Sequence, residues 1–328
     1  MTSIYSRELS RDELPQGDDL VDYSSHGTIF HKSGWLDACA RSLGIRLKIF
    51  GCFQNNQLIG GCSLFIEQKW GWVSLADSTC PMTPYGGFIL SFPPSPGVHK
   101  QESFHRQIIG SLIKEIEKEH FFSINIINSP DFLDIRPFTS IGWESSVLYT
   151  YYSNLDNKSE SHIDPVMKKN IRKAEKNHII IEPFSDISRY YSLLCETYAR
   201  KNLPPPCSEN LITELYSFML NQNCGEMVAA KTPDNEIAGA DIIVWDARQA
   251  YGFSAASDAR FNNSGSPSLI RFEHLKRMKA KGILKMNLMM GNVLELSQFT
   301  TQLNPTLVPY YQIRNRIIDH VLSSKKSN

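Results

Sequence analysis

Residues 226–290 read EMVAAKTPDNEIAGADIIVWDARQAYGFSAASDARFNNSGSPSLIRFEHLKRMKAKGILKMNLMM. Three apolar runs of strand length occupy 227–231, 237–245 and 249–256, and turn-forming residues at 232–235 lie between the first two. Within 267–281 apolar side chains recur at helical spacing, namely Leu269, Ile270, Phe272, Leu275 and Met278. A last apolar run covers 283–289. The stretch is therefore predicted to fold as strand, turn, strand, strand, loop, helix and strand.

The polar loop 259–266 runs into the predicted helix. Unpaired backbone N–H groups and the positive end of the helix dipole make such a position attractive to phosphate. The pattern Arg260-x-x-Asn263-x-Gly265-Ser266 resembles the pyrophosphate loop of GNAT-type acetyltransferases. The candidate residues for binding an acyl-CoA co-substrate are Arg260, Asn263, Gly265, Ser266 and Ser268. The alternative interpretation is an ordinary capped loop between a strand and a helix.

The composition is that of a globular protein with balanced charge. The 328 residues are 41% hydrophobic and 21% charged, with a formal net charge of zero and a pI of about 7.1. This balance argues against a broad nucleic-acid-binding surface, and no DNA partner is expected. No apolar run approaches the roughly 20 residues that a membrane span needs, so none is expected.

The cysteines and histidines lack the spacing of common metal and disulfide sites. The seven cysteines are scattered and include no Cys-x-x-Cys pair, which favours reduced thiols in a cytoplasmic protein. None of the nine histidines belongs to a pair with metal-ligand spacing, and no metal site is expected.

Helices and strands are predicted along the rest of the chain, except in residues 1–25, which carry no assignable pattern. The first half is predicted to contain helices at 30–43 and 101–120 and strands at 46–53, 57–66, 70–75, 121–127 and 147–152. A polar linker at 157–161 follows. The second half is predicted to add helices at 165–176, 187–201, 208–222 and 293–303, strands at 178–184 and 307–313, and a short C-terminal helix.

An internal repeat relates the two halves. Asn56–Gly61 and Asn235–Ala240 share the same sequence of turn residue, short apolar pair and glycine, and each lies between two predicted strands with a helix upstream. The alternative is two unrelated hairpins. Duplication of one αβ unit predicts two domains, 1–155 and 156–328, with a ligand-binding groove between them.

Four segments of the chain resemble the Fem family of peptidoglycan-bridge aminoacyl transferases and their FemAB-like, GNAT-related relatives. They are Pro84-Tyr85-Gly86-Gly87, Lys169–Ala174 with Ile179–Glu182, Thr197–Arg200 with Leu203-Pro204, and Pro309-Tyr310-Tyr311. The resemblance covers about 30–313. It implies an α/β (α+β) fold of two tandem GNAT-like domains, each a mixed, mostly antiparallel sheet flanked by helices. It also implies acyl or aminoacyl transfer to an amino group.

Two positions depart from the pattern of that family. The family commonly has a Phe-Lys pair and a Phe-Gly pair ahead of the Pro-Tyr-Tyr segment, where this chain has Phe299-Thr300 and Leu303-Asn304. The missing lysine puts in question a phosphate contact to a nucleotide-linked acceptor. A non-catalytic binding protein on the same fold is therefore a further alternative.

Acyl transfer needs a bound acyl donor, a base that takes a proton from the amine, and a hydrogen-bond donor that stabilises the oxyanion. Asp77 and Asp258 each follow a predicted strand and are candidate bases, although either could simply cap a turn. Tyr85 is the third candidate catalytic residue. The candidate substrate-binding residues are Thr83, Gly86, Lys169, Arg172, Lys173, Tyr198 and Tyr311. The basic helix that carries three of them could equally be a solvated face.

The sequence thus predicts a cytoplasmic acyltransferase that moves an acyl group from acyl-CoA to a small amine, such as an amino sugar or a cell-envelope precursor. The alternative donor is an aminoacyl-tRNA, with a peptidoglycan precursor as acceptor. Zero net charge disfavours that alternative. The donor, the acceptor and the half that carries the chemistry stay open.

Overall fold

Two antiparallel hairpins occupy equivalent places in the fold. The computed structural model describes residues 3–92, 97–155 and 163–316. In the first hairpin Asn55 and Asn56 both have left-handed backbone, with φ of 52° and 61°. The flanking strands pair from Gln54 and Gln57 onwards, as a two-residue turn of this kind favours. In the second hairpin Asn235 is left-handed, with φ of 62°. Both predicted hairpins are confirmed.

The other elements follow the predicted order closely. The described strands are β1 Ile4–Glu8, β2 Arg46–Gln54, β3 Gln57–Lys69, β4 Val73–Asp77, β5 Gly87–Leu90, β6 Ser123–Ile127, β7 Glu144–Asn154, β8 Ile180–Pro183, β9 Gly225–Lys231, β10 Ile237–Trp245, β11 Ala250–Ser257, β12 Lys285–Met289 and β13 Thr306–Arg316. The described α-helices are α1 Leu14–Tyr23, α2 Ser33–Leu43, α3 Val98–Glu117, α4 Arg136–Thr139, α5 Pro165–Lys176, α6 Ile187–Ala199, α7 Glu209–Asn221, α8 Ser266–Ala280 and α9 Leu294–Thr300.

Four of these elements were not predicted, namely β1, α1, β5 and α4. The predicted linker at 157–161 and the predicted C-terminal helix lie outside the described residues. In the part of the chain that the structure describes, none of the helices combines the length and the apolar character needed to cross a membrane.

The chain divides into two compact units. The first comprises Met1–Leu148 with Pro309–Asn328, and the second comprises Tyr149–Val308. This division differs from the expected boundary after residue 155, because β7 pairs with β12 in the second unit and β13 pairs with β6 in the first. Each repeat therefore supplies the last strand of the other unit.

The first unit contains a sheet in the order β1-β2-β3-β4-β6-β13, with β5 paired to β3. Neighbouring strands are antiparallel except β4 and β6. Helix α3 packs its apolar face on this sheet through Ile108, Ile109, Leu112, Ile113 and Ile116. All five side chains are buried, as their helical spacing predicts, and each fully buried aliphatic side chain stabilises the fold by about 1.5–3 kcal/mol.

The second unit repeats this architecture. Its strands follow the order β8-β9-β10-β11-β12-β7, and only β11 and β12 are parallel. Its core includes Met167, Ile171 and Ala174 of α5 and Leu269, Ile270, Leu275 and Met278 of α8. The predicted fold class is therefore confirmed: both units are mixed, mostly antiparallel sheets flanked by helices.

Candidate active site

An opening lies along one edge of β11 in the second unit. The parallel strands β11 and β12 pair only at Ala250 with Met286 and at Tyr251 with Asn287. Strand β11 continues to Ser257, whereas none of the described strands pairs with this edge of 252–256. A strand edge without a neighbour presents backbone N–H and C=O groups to a ligand.

A β-bulge lies at the start of this opening. The register between β10 and β11 shifts between Ile242, which faces Ser254, and Ile243, which faces Gly252. Bulges bend a strand and are frequent next to active sites. Ala255 is exposed although its neighbours Ser254 and Ala256 are buried. The opening therefore reaches solvent in the middle of β11.

The C-terminal end of α6 covers the last residue of β11. Ser257 N donates to Thr197 Oγ1 (3.0 Å), and Arg200 Nη1 donates to the carbonyl oxygen of Ser257 (2.9 Å). These contacts limit the opening to 252–256. They also place the segment Thr197–Arg200, which carries part of the family resemblance, beside the opening. Tyr198 is half-buried in this segment, and burial raises the pKa of its hydroxyl.

The loop after β11 holds Asp258 and Arg260 in a local ion pair. Asp258 Oδ1 accepts from the backbone N–H of Arg260 (2.9 Å), and Arg260 Nη2 donates to Asp258 Oδ2 (2.7 Å). Arg260 Nη1 also donates to Glu236 Oε1 (2.7 Å). The hydrogen bond from Arg260 lowers the pKa of Asp258. This geometry favours the turn-capping role for Asp258, and it leaves Arg260 with two carboxylates rather than an open site for phosphate.

Helix α5 covers the N-terminus of α8. Gly265 has φ of 87°, and a Cβ atom there would lie 2.2 Å from the backbone oxygen of Asn170 in α5. Ser266 and Ser268 are 1% and 2% exposed. Ser264 Oγ accepts from the backbone N–H of Ser266 (3.1 Å). The structure therefore buries both predicted phosphate-binding serines.

Exposed cations of α5 lie on the helix that covers this N-terminus. Lys169, Arg172, Lys173 and Lys176 are exposed, and among the described residues none of them forms an ion pair. The buried face of α5 consists of Met167, Ile171 and Ala174. Gly265 contacts α5 at Asn170, and Asn263 of the same loop is exposed.

Comparison with protein families identifies a known domain in this part of the chain. Residues 165–295 match the sequence model of the acetyltransferase (GNAT) domain. The chain contains a GNAT acetyltransferase domain. The match lies within the second unit and includes β11, the loop after it and α8. The match to this domain supports an acyltransferase.

Solved structures show the same overall fold at low sequence identity. The crystal structure of FemX superposes with a TM-score of 0.75 at 8% identity, over 97% of this chain and 98% of that one. A tandem GNAT protein from the clavulanic acid biosynthesis pathway gives 0.55 at 9% identity, over 96% and 98%. L-PGS from Bacillus licheniformis gives 0.56 at 10% identity, over 94% and 92%.

No curated protein matches this chain in sequence. The resemblance to FemAB-like, GNAT-related proteins is confirmed by the domain match and these folds.

The corresponding place in the first unit is closed. Strands β4 and β6 pair as far as Asp77 and Asn125, and the backbone N–H of Gly86 then donates to the carbonyl oxygen of Ile127 (2.9 Å). A Cβ atom at Gly86 would lie 2.0 Å from the backbone oxygen of Ser78. Gly86 therefore packs against the protein's own backbone, which favours a structural role over the predicted contact with a substrate.

Two further predicted residues of the first unit are buried. Thr83 Oγ1 accepts from the indole Nε1 of Trp35 (3.0 Å) and is 1% exposed. Tyr85 is 1% exposed and packs edge-on against Tyr310, with ring centroids 5.2 Å apart. Burial to this degree favours packing roles for both. Tyr311 is half-buried, and its carbonyl oxygen accepts from Asn128 N (3.1 Å).

Asp77 lies in a polar row across the first sheet. Asn125 Nδ2 donates to Asp77 Oδ1 (2.7 Å), and Gln312 Nε2 donates to Asn125 Oδ1 (2.6 Å). Burial raises the pKa of Asp77, and the hydrogen bond from Asn125 opposes that rise. A raised pKa suits a general base, because the carboxylate then holds a proton more tightly. The role of Asp77 as a base stays a prediction.

Thr300 lies at the position where the resemblance to the Fem family predicts a lysine. It is 7% exposed, and its Oγ1 donates to the carbonyl oxygen of Leu296 (3.1 Å) within α9. Phe299 packs against the core of the second unit. The missing lysine is thus replaced by a buried, hydrogen-bonded side chain that offers no cation to a phosphate.

A buried polar cluster under α8 was not predicted from the sequence. Asp241 of β10 faces Arg271 and His274 of α8, although all three lie within elements that were predicted. The available signal was Asp241 itself, a charged residue inside the apolar run 237–245. Among the described residues no group of three or more His, Cys, Asp or Glu side chains lies close enough to hold a metal ion.

Proposed function

We propose that the second unit binds acyl-CoA along the open edge of β11 and transfers its acyl group to an amine. One observation carries the proposal: the pairing between β11 and β12 ends at Tyr251, six residues before β11 does. The pantetheine arm of coenzyme A contains two amide groups. Amides pair with an open strand edge as an added strand would.

The phosphates of coenzyme A belong at the other end of this opening. The loop 258–265 follows the last residue of β11, and α5, which carries the exposed cations, contacts this loop at Gly265. Lys169, Arg172 and Lys173 are exposed there and suit the pyrophosphate and the ribose phosphate. With the phosphates at that end, the proposed position of the thioester is near Gly252, next to the bulge.

The reaction is a direct attack by the acceptor amine. The amine nitrogen forms a bond to the thioester carbonyl carbon, the carbon–sulfur bond breaks, and the amine proton passes through a base to the departing thiolate. A backbone N–H near the bulge is the proposed donor to the oxyanion. A small amine such as an amino sugar or a cell-envelope precursor is the proposed acceptor.

Thermal stability in acetyl-CoA and in free coenzyme A tests the donor. Binding raises the stability of the wild type by about 2.7 kcal/mol at a ligand concentration of 100 Kd. Ala255→Phe should abolish this rise, because Ala255 is exposed in the opening and a phenyl ring would fill it. Ala280→Phe is the matched control, since Ala280 is exposed at the far end of α8. No rise in the wild type would overturn the proposal.

An aminoacyl-tRNA donor is the second candidate. The exposed cations of α5 favour it, because they would also suit a polyanion, and FemX shares the fold. In this case charged tRNA stabilises the protein and acetyl-CoA does not. Binding should weaken steeply with salt, and the double variant Lys169→Glu with Lys173→Glu should lose it.

A further inference from the structure

The buried cluster under α8 has polar atoms that the protein itself leaves unmatched. In the part of the chain that the structure describes, Asp241 Oδ1, Arg271 Nη1 and both ring nitrogens of His274 are buried and have no hydrogen-bond partner. Asp241 is 4% exposed and His274 is 0% exposed. A buried polar atom without a partner costs about 1–3 kcal/mol, so four such atoms together make this cluster a candidate site for a polar ligand.

The contacts within the cluster are long. Arg271 Nη2 lies 3.7 Å from Asp241 Oδ2, and His274 Nε2 lies 3.6 Å from the same oxygen. Burial holds the pKa of His274 well below its ordinary value, so the imidazole is neutral and Arg271 is the cation that faces Asp241. One edge of the guanidinium is therefore held by Asp241, and the other edge is left for a second acceptor.

The unmatched edge of Arg271 lies at the start of the opening. A Cβ atom at Gly252 would lie 2.2 Å from Arg271 Nη1, so this nitrogen occupies the space that a side chain at position 252 would need. Gly252 is the first residue of β11 beyond its pairing with β12. Ala255, which pairs with Asp241, is exposed. Glycine at position 252 thus makes room for a cation where the acyl end of the donor is proposed to lie.

We propose that Arg271 binds a carboxylate on the acyl group of the donor, so that the enzyme prefers dicarboxylic acyl thioesters to neutral ones. The proposal rests on acyl-CoA binding along β11. A guanidinium has only donors and pairs with a carboxylate through parallel hydrogen bonds. Asp241 orients the guanidinium from behind and does not itself touch the ligand. A cationic edge also disfavours an aminoacyl donor, whose ammonium group carries the same sign of charge.

Calorimetric titration of the full chain with three thioesters tests this assignment. Succinyl-CoA and butyryl-CoA both carry four-carbon acyl groups and differ in the terminal carboxylate, and acetyl-CoA reports donor binding alone. We expect succinyl-CoA to bind at least about tenfold more tightly than butyryl-CoA. Arg271→Gln should remove this ratio by lowering the affinity for succinyl-CoA more than the affinity for butyryl-CoA.

Three further variants separate recognition from folding. Gly252→Ala keeps Arg271 but displaces Nη1, and it should also reduce the ratio. The double variant Asp241→Asn with Arg271→Gln removes both buried charges together, so it tests the ratio without leaving an unpaired carboxylate. Arg277→Gln is the matched control, because Arg277 lies on the same helix and pairs with Glu273 (3.3 Å) outside the cluster.

The outcomes distinguish the two proposals. The role of Arg271 would be overturned by equal affinities of the wild type for succinyl-CoA and butyryl-CoA, or by a ratio that survives in Arg271→Gln. Binding of acetyl-CoA in the same titrations would still support acyl-CoA as the donor. A cluster filled only by water would give this result. Failure of all three thioesters to bind would overturn both proposals.

Discussion

Replacing Gly265 by alanine should destabilise the second unit through two separate effects. The backbone at Gly265 has φ of 87°, which costs a residue with a Cβ atom about 1–2 kcal/mol. The added Cβ would also lie 2.2 Å from the backbone oxygen of Asn170 and 3.1 Å from the backbone nitrogen of Ala174. Both neighbours are helix backbone, so neither can rotate away.

The second effect forces α5 to move by roughly 1 Å, since ordinary van der Waals contact begins near 3.4 Å. The buried side chains Met167, Ile171 and Ala174 would move with it, and overpacking of this kind costs about 1–3 kcal/mol. The expected total for Gly265→Ala is therefore about 2–5 kcal/mol.

Gly282→Ala isolates the first effect. Gly282 has φ of 81°, and nothing lies within 4 Å of the Cβ position. Urea unfolding followed by circular dichroism should therefore give about 1–2 kcal/mol for this control and a larger loss for Gly265→Ala. Faster hydrogen exchange in α5 should accompany the larger loss. If the two variants lose the same stability, α5 does not press on the N-terminus of α8 as described.

Three further predictions concern single side chains. Asp258→Ala should cost about 1–2 kcal/mol in urea unfolding, because the backbone N–H of Arg260 loses its acceptor. Turnover should fall by less than about tenfold, whereas the loss of a general base lowers the rate by about 10²–10⁴-fold. Thr83→Val removes the acceptor of Trp35 Nε1 and should cost about 1–3 kcal/mol by the same measurement. Burial raises the pKa of Asp241 from 3.8 to about 6, so the folded state resists its ionisation. Compared with Asp241→Asn, the wild type should lose up to about 3 kcal/mol of stability as the pH rises from about 4 to 6. If the difference in unfolding free energy between the two proteins does not change with pH, the pKa of Asp241 is not raised.

Local pattern was sufficient to predict most elements of the fold. The buried face of α5 follows from helical spacing, and Ile171 and Ala174 are buried as predicted. The two hairpins follow from their turn residues. In contrast, β1 has the mixed burial of an edge strand, and its five residues show neither apolar alternation nor a turn signal. Such a strand is defined by its partner β2, which its own residues do not reveal.

The exchange of final strands between the units could not be predicted for a related reason. The pattern of 307–313 indicates a strand but does not say which sheet it joins. Pairing with β6 is fixed by contacts such as Gln312 with Asn125, which are 187 positions apart. A boundary drawn by sequence order therefore separates strands that the fold keeps together.

The roles that can be proposed for the candidate site residues depend on partners that are distant in the sequence. The sequence identifies the loop before α8, which lies within the matched GNAT domain. It does not reveal that Glu236 engages Arg260 or that α5 buries Ser266. Arg271 was missed because its significance arises from Gly252, which lies on a different element.

The two repeats share a topology but differ in the length of their parallel pairing, and this difference explains why we assign donor binding to the second. In the first unit the pairing of β4 with β6 reaches Asp77 and is extended by Gly86. In the second unit the pairing of β11 with β12 ends at Tyr251. Each backbone group left without a strand partner loses a stabilising hydrogen bond unless solvent or a ligand replaces it. The first repeat keeps those hydrogen bonds. The second repeat lacks them along the edge of β11, where the amides of a bound pantetheine arm would form hydrogen bonds in their place.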